Sequence, residues 1–114
     1  MANTFKLTSK GSIGVTTVGV YTAPSSTTTV IIGITCANTS GSGIHVGVGI
    51  TRAGAGAGIG SDNIKLIKDV PIPQGSSFEF MQGNKIVLQQ TDTLTASSDV
   101  ASSLDVALTI MEIT

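Results

Sequence analysis

Residues 104–114 read Leu-Asp-Val-Ala-Leu-Thr-Ile-Met-Glu-Ile-Thr, and this stretch decides the fold class. Leu104, Val106, Leu108 and Ile110 alternate with Asp, Ala and Thr. Side chains of a β-strand point to opposite faces with a period of two, whereas an amphipathic helix repeats every 3.6 residues. The stretch therefore predicts a half-buried strand, and such a strand needs a sheet to receive it.

The same alternation recurs in two long internal runs. The predicted core residues are Val30, Ile32, Ile34 and Cys36 in the run 28–37, and Ile44, Val46, Val48 and Ile50 in the run 43–52. The segment between the runs is rich in residues that favour turns. The two runs therefore predict an antiparallel hairpin.

Shorter apolar runs, separated by turn signals, predict further strands at 5–7, 13–21, 63–70, 77–81, 85–88 and 93–97. The run 13–21 changes phase near Thr17, which predicts a bulge or a bend. The chain has 114 residues, enough for one domain, and no segment has a helical period. We expect an all-β fold, an antiparallel β-sandwich of eight or nine strands, jelly-roll-like or immunoglobulin-like. Residues 1–11 are expected to form an N-terminal arm or a first short strand, and residues 12–114 a single sandwich domain.

The composition limits the classes of partner. Charged residues make up 11% of the chain and the formal net charge is −1, with no basic run, so we expect no nucleic-acid partner. No apolar stretch approaches the ~18 residues of a membrane span, and no secretory signal is visible. A surface so poor in charge indicates either cover by a partner or by further copies, or a small soluble domain hydrated by Ser and Thr.

Residues that carry out chemistry are few and scattered. Cys36 is the single cysteine and His45 the single histidine, which is too few for a zinc site, and one cysteine fits a reducing cytoplasm. The run 54–60 has the wrong glycine spacing for a dinucleotide fingerprint and no following Lys-Ser or Lys-Thr pair. No pair among the seven carboxylates stands out. We therefore expect no enzymatic activity, no metal and no cofactor.

Several segments together resemble a family of small β-sandwich virion proteins of tailed bacteriophages. They are Tyr-Thr-Ala-Pro-Ser-Ser-Thr-Thr-Thr-Val-Ile-Ile-Gly at 21–33, Ala-Asn-Thr-Ser-Gly at 37–41, and Leu-Ile-Lys-Asp-Val-Pro-Ile-Pro-Gln-Gly-Ser-Ser at 66–77. Gly-Asn-Lys-Ile-Val-Leu at 83–88, Ala-Ser-Ser-Leu-Asp-Val at 101–106 and Met-Glu-Ile-Thr at 111–114 complete the set, which spans most of the chain from Tyr21 onward.

This resemblance implies a non-enzymatic structural component of the virion, assembled in the host cytoplasm. It favours a capsid decoration (cement) protein that binds the major capsid protein as a homo-oligomer, with a trimer favoured. Residues 1–11 and the run 54–60 are both poor in core residues and are expected to become ordered on binding the partner. The candidate partner-binding residues are Asn3, Thr4, Phe5, Lys6, Gly54, Gly56, Gly58 and Ile59.

An alternative is a tail, baseplate or head-fibre module that recognises a host surface glycan. The strand face with His45, Thr51 and Arg52, or the loop at Asp62 and Asn63, is the candidate surface for that role. Carbohydrate sites usually present an exposed aromatic side chain, and aromatic residues make up only 4% of this chain.

Overall fold

A computed structural model describes residues 3–52, 62–79, 81 and 84–114, and that part of the chain forms nine strands and no helix. The strands are β1 (Asn3–Ile13), β2 (Val18–Thr22), β3 (Thr28–Asn38), β4 (Ile44–Thr51), β5 (Ile64–Ile72), β6 (Ser77–Glu79), β7 (Ile86–Leu88), β8 (Thr93–Ser98) and β9 (Leu104–Ile113).

The strands form two sheets in which every described pair is antiparallel. The first sheet has the order β1-β9-β3-β6, and the second has the order β2-β8-β4-β5. The short strands β6 and β7 pair with successive parts of β3, at 35–37 and 29–31, and so share one edge of the first sheet. The predicted β-sandwich is confirmed, since its apolar side chains meet between the two sheets.

The core side chains follow the alternation of the sequence in β9 and β4. Leu104, Val106, Leu108 and Ile110 are each at most 1% exposed. The four residues predicted to face the core in β4 are buried as well. Branched aliphatic side chains suit this position because they pack tightly on a pleated surface.

Strand β3 departs from simple alternation. Ile34 and Cys36 are buried as predicted, but Val30 and Ile32 are only half-buried, and Ile31 is buried instead. The register with β9 shifts between Ile31 and Gly33. An extra residue at such a bulge reverses which positions face the core, and this is why the prediction for Val30 and Ile32 was wrong.

The predicted hairpin of β3 and β4 is also wrong, because the two strands lie in opposite sheets. Asn38 helps carry the chain across: its side-chain amide donates to Ser42 O at 2.7 Å and to Ile72 O at 2.9 Å. A strand with one apolar face satisfies the same pattern whether its partner lies beside it or across the core. The alternation alone therefore had no means of separating the two arrangements.

The run 13–21, predicted as one strand with a bulge or bend, is two strands in different sheets. β1 ends at Ile13 and β2 begins at Val18, so the phase change near Thr17 falls where the chain crosses between sheets. Ser12 has a φ of 54°, and the register of β1 with β9 shifts between Lys10 and Ile13. The chain thus leaves the first sheet through an irregular strand end.

Candidate interaction surface

Strand β1 is an exposed strand at the edge of the first sheet. Among the described strands it pairs with β9 alone, and of its eleven residues only Ile13 is buried. The predicted binding residues Asn3, Thr4, Phe5 and Lys6 all lie on it, whereas Gly54, Gly56, Gly58 and Ile59 lie outside the described residues. The pairing places Phe5 opposite Met111, on the outer face of the sheet. Asn3 shares that face, while Thr4 and Lys6 point to the inner side.

A row of apolar side chains crosses the outer face of the first sheet from edge to edge. Phe5 pairs with Met111, Met111 with Val30, and Val30 with Val87. Phe5 is 70% exposed and Val87 is 50% exposed, and the two central residues are half-buried. We call these four residues the apolar row. Leu7 lies next to it on β1 and is 75% exposed.

The outer face of the second sheet differs in chemistry. Thr22 pairs with Thr93, which pairs with Thr51, and Thr95 lies between Gly19 and Gly49. Hydroxyls and glycines thus occupy the positions equivalent to the apolar row. We call this surface the polar face. Since water solvates hydroxyl groups well and apolar groups poorly, the first sheet has the outer face that gains more from being covered.

A polar network links β1 to both sheets. Lys6 Nζ lies 2.8 Å from Glu112 Oε1, and the Tyr21 hydroxyl donates to Glu112 Oε2 at 2.5 Å. The Thr29 hydroxyl is 2.8 Å from the Tyr21 oxygen and donates to it, because the single Tyr21 proton is already given to the carboxylate. Lys6 and Tyr21 hold the pKa of Glu112 below its usual range. Burial, aided by the bond to Glu112, raises the pKa of Tyr21 to about 12.

The lowered pKa of Glu112 predicts a loss of stability in acid. A carboxyl whose folded-state pKa is depressed stabilises the fold above its unfolded-state pKa of about 4.3 and loses that contribution as the pH falls through the folded-state value. We expect the free energy of unfolding, measured in urea by circular dichroism, to fall on acidification below that pH. The Glu112→Gln variant should show a shallower slope. Equal slopes would contradict the role of Glu112, and Lys85→Gln, which removes a charge elsewhere, is the control.

His45 lies at the start of β4, beside a pocket of about 180 Å³ on the outer side of the second sheet. Its Nδ1 is 3.1 Å from Asp99 Oδ2, and its backbone N–H donates to Asp99 Oδ1 at 2.8 Å. That backbone bond is the main cause of the lowered pKa of Asp99. Lys65 and Lys68 also line the pocket. The pocket therefore offers donors and charges of both signs to a small polar ligand.

The other residues proposed for glycan binding do not join His45. Thr51 lies at the opposite end of β4, roughly 20 Å away at about 3.3 Å per residue. Arg52 Nε lies 2.8 Å from Asp92 Oδ2, and Asn63 Oδ1 accepts the backbone N–H of Arg52 at 2.8 Å. These groups hold the ends of β4 and β5 in place. Of the predicted strand face, Thr51 and Arg52 therefore lie far from His45.

Cys36 and the acidic residues make no metal centre in the described ranges, where no three His, Cys, Asp or Glu side chains gather closely enough to hold an ion. Burial raises the pKa of the Cys36 thiol to about 12, so the thiol stays protonated at neutral pH and packs as a small apolar group. The described part of the chain holds no helix that could cross a membrane.

Several solved structures contain a chain that is similar to this one in fold. A chain of the Bacillus endospore appendages, described as disulfide-linked pili, is 15% identical, with a TM-score of 0.50 over 99% of this chain and 87% of that chain. A chain of infectious bursal disease virus, Gx strain, is 13% identical over 96% of this chain and 37% of that chain, with a TM-score of 0.46. A pentameric capsid protein from metagenomic phage sequences is 15% identical over 95% of this chain and 60% of that chain, with a TM-score of 0.36. No protein-family model and no curated protein matches the chain.

The sequence singles out Phe5 as a candidate binding residue but none of the other three residues of the apolar row. In the sequence pattern Met111 alternates with the core residues of its strand, and Val30 is assigned to the core. A signal was present at the end of β9, where Met111 and Ile113 place apolar side chains at the positions that alternate with the core residues. Two apolar faces on one strand indicate that both faces are covered.

Proposed function

We propose that this protein is a non-enzymatic structural component of a bacteriophage virion, a capsid decoration protein that binds the major capsid protein and stabilises the head lattice. A protein that binds only the assembled shell shifts the equilibrium toward that shell by mass action. The sequence resemblance supports this role. The resemblance also favours a homo-oligomer, with a trimer as the expected state.

The strand order also supports the proposal. The orders β1-β9-β3-β6 and β2-β8-β4-β5 are those of a jelly roll, in which successive strands cross repeatedly between the two sheets. Jelly rolls recur in viral capsid domains, although they also serve lectins and other proteins, so the fold alone carries only an analogy. We propose the jelly roll as the architecture of this sandwich.

The exposure of β1 is the observation that carries the proposal. Among the described residues no strand pairs with β1 on the side away from β9, so its backbone groups form an open edge there, and Asn3, Thr4 and Phe5 at its beginning are exposed. Lysines on an edge strand and a bulge discourage indiscriminate strand pairing. Lys6, Lys10 and the irregularity before Ile13 protect the later part of β1, and the beginning remains for a specific partner.

The role is tested by counting copies. We expect quantitative mass spectrometry of purified phage particles to find hundreds of copies, in a simple ratio to the major capsid protein. A few to a few tens would move the protein to the tail, the neck or a fibre. Absence from particles would overturn the virion role.

The contact surface is tested by binding to particles that lack the protein. We expect Asn3→Lys combined with Thr4→Lys to weaken binding at least about tenfold, because added lysines disfavour pairing along the edge. Both side chains are exposed, so the sandwich should remain folded by circular dichroism. Thr22→Lys combined with Thr51→Lys adds the same charge to the polar face and should bind like the wild type. Equal binding by both double variants would place the contact elsewhere.

Glycan recognition is the second candidate, favoured by the pocket beside His45. A hydroxyl-rich sugar suits the mixture of donors and acceptors that line it, which are His45, Lys65, Lys68, Asp69, Ser97 and Asp99. A low copy number together with binding to a host glycan that His45→Ala abolishes would establish this role. No glycan binding at millimolar concentrations would exclude it.

A further inference from the structure

We propose that the outer face of the first sheet is a contact between two copies of this chain, packed face to face about a twofold axis. This contact concerns the free protein and does not rest on the virion role. The apolar row, near one end of the sheet, supplies its apolar contacts, with Leu7 and Ile113 beside the row.

The size of the face suits a dimer contact. Four strands spaced by about 4.8 Å, with the ten residues of β9 at about 3.4 Å each, give a footprint of roughly 600 Å² per copy. Specific interfaces bury about 600–1,000 Å² per partner. The face therefore reaches the lower end of that range, where a reversible dimer with a dissociation constant in the micromolar range is expected.

A twofold axis parallel to the strands, running between β9 and β3, makes the apolar row complementary to itself. This operation exchanges β1 with β7 and β9 with β3. Phe5 then lies over the partner's Val87, and Met111 lies over the partner's Val30. A two-fold contact requires such self-complementarity, since the same surface serves both copies. Sheets that stack face to face pack about 10 Å apart.

The charges on the face are compatible with this arrangement. Asp105 pairs in register with Ala37, so the axis places Asp105 over the partner's Ala37. Glu79 is aligned through β3 and β9 with Ser9, so Glu79 lies over the partner's Ser9. The two carboxylates thus meet neutral residues and keep hydrogen-bond donors of their own chain, the Ser12 N–H for Asp105 Oδ1 at 3.0 Å and the Met81 N–H for Glu79 Oε1 at 2.7 Å. Like charges, which would oppose pairing, are kept apart.

The polar face offers no comparable contact. Its rows of Thr and Gly are bordered by Lys65, which pairs with Gly49, and by His45 at the end of β4. Two such surfaces brought together would desolvate hydroxyls and bring positive charges close to one another, both of which cost free energy. Because the two outer faces differ in this way, we place the contact between copies on the first sheet. The polar face then serves as the control surface in the experiment.

Sedimentation equilibrium of the purified chain tests the proposal. We expect a concentration-dependent equilibrium whose mass is halved by Phe5→Glu or by Val87→Glu, with a dissociation constant at least about thirtyfold weaker, because each variant buries an unpaired carboxylate in the contact. Both side chains are at least half exposed, so each variant should keep the wild-type circular dichroism spectrum. Thr51→Glu on the polar face should associate like the wild type. A monomeric wild type at about 1 mM, or variants that associate like the wild type, would overturn the proposal.

Cross-linking tests the twofold arrangement itself. Cys36 is buried, so cysteines introduced on the surface are the reactive ones. We expect the double variant Phe5→Cys with Val87→Cys to form a covalent dimer with a short bismaleimide reagent, because sheets about 10 Å apart hold the two sulfurs too far apart for a disulfide. Each single variant should remain mainly monomeric. Equal cross-linking by Phe5→Cys alone would overturn this axis, because it would bring Phe5 against the partner's Phe5.

Discussion

Gly49→Ala is expected to destabilise the protein by about 3 kcal/mol, near the upper end of the usual cost of overpacking. A Cβ at Gly49 would lie 2.6 Å from the carbonyl oxygen of Ile64. This oxygen belongs to the backbone of β5, so relief requires a shift of the strand and not a rotation of a side chain. Urea unfolding followed by circular dichroism measures the change.

Gly47→Ala is the matched control in the same strand. Its added Cβ would meet Ser97 Oγ at 3.5 Å and Ile67 O at 3.7 Å, which are ordinary contacts. Alanine also lowers the entropy of the unfolded chain, so Gly47→Ala should be neutral or stabilising by up to about 1 kcal/mol. Similar losses in both variants would show that the close approach of β5 is not the cause.

The special place of Gly49 was not predictable from the sequence. Alternation correctly placed the four aliphatic residues of β4 in the core and Gly49 on the other side. The close approach arises because the register of β4 with β5 shifts on both sides of Val48. Asp69, with a φ of 54°, lies in this irregular part of β5. These register shifts depend on how β4 pairs with β5, which the regular alternation of β4 alone does not specify.

The candidate surface was likewise predictable from the sequence only in part. The exposure of Phe5 was predictable, because few core residues surround it in the sequence. Its neighbours in the apolar row come from three strands far apart in the chain, and their alignment is set by the pairings of β9 with β1 and β3. Periodicity predicts which face a residue occupies within one strand. Which strands lie side by side depends on the packing of the whole domain.

Asp92→Ala is expected to cost about 3–5 kcal/mol, the usual effect of removing one partner of a buried ion pair. The Asp92 side chain is 2% exposed, and its Oδ2 lies 2.8 Å from Arg52 Nε, whose side chain is 18% exposed. The same oxygen accepts the backbone N–H of Gln89 at 3.0 Å. Removing the carboxylate therefore withdraws a charge partner from Arg52 and an acceptor from the turn before β8.

The cost should come from the charge left behind and not from the loss of the pair as such. Replacing both residues by apolar ones, as in Arg52→Met with Asp92→Leu, is expected to recover much of the stability, because neither charge then has to be desolvated. Asp62→Ala, which removes an exposed carboxylate from the same end of the sandwich, should change the free energy of unfolding by less than about 0.5 kcal/mol. If Asp92→Ala cost no more than Asp62→Ala, the buried pair would not be what holds β4 to the turn before β8. If the double variant were less stable than Asp92→Ala, the cost would not come from the charge left behind.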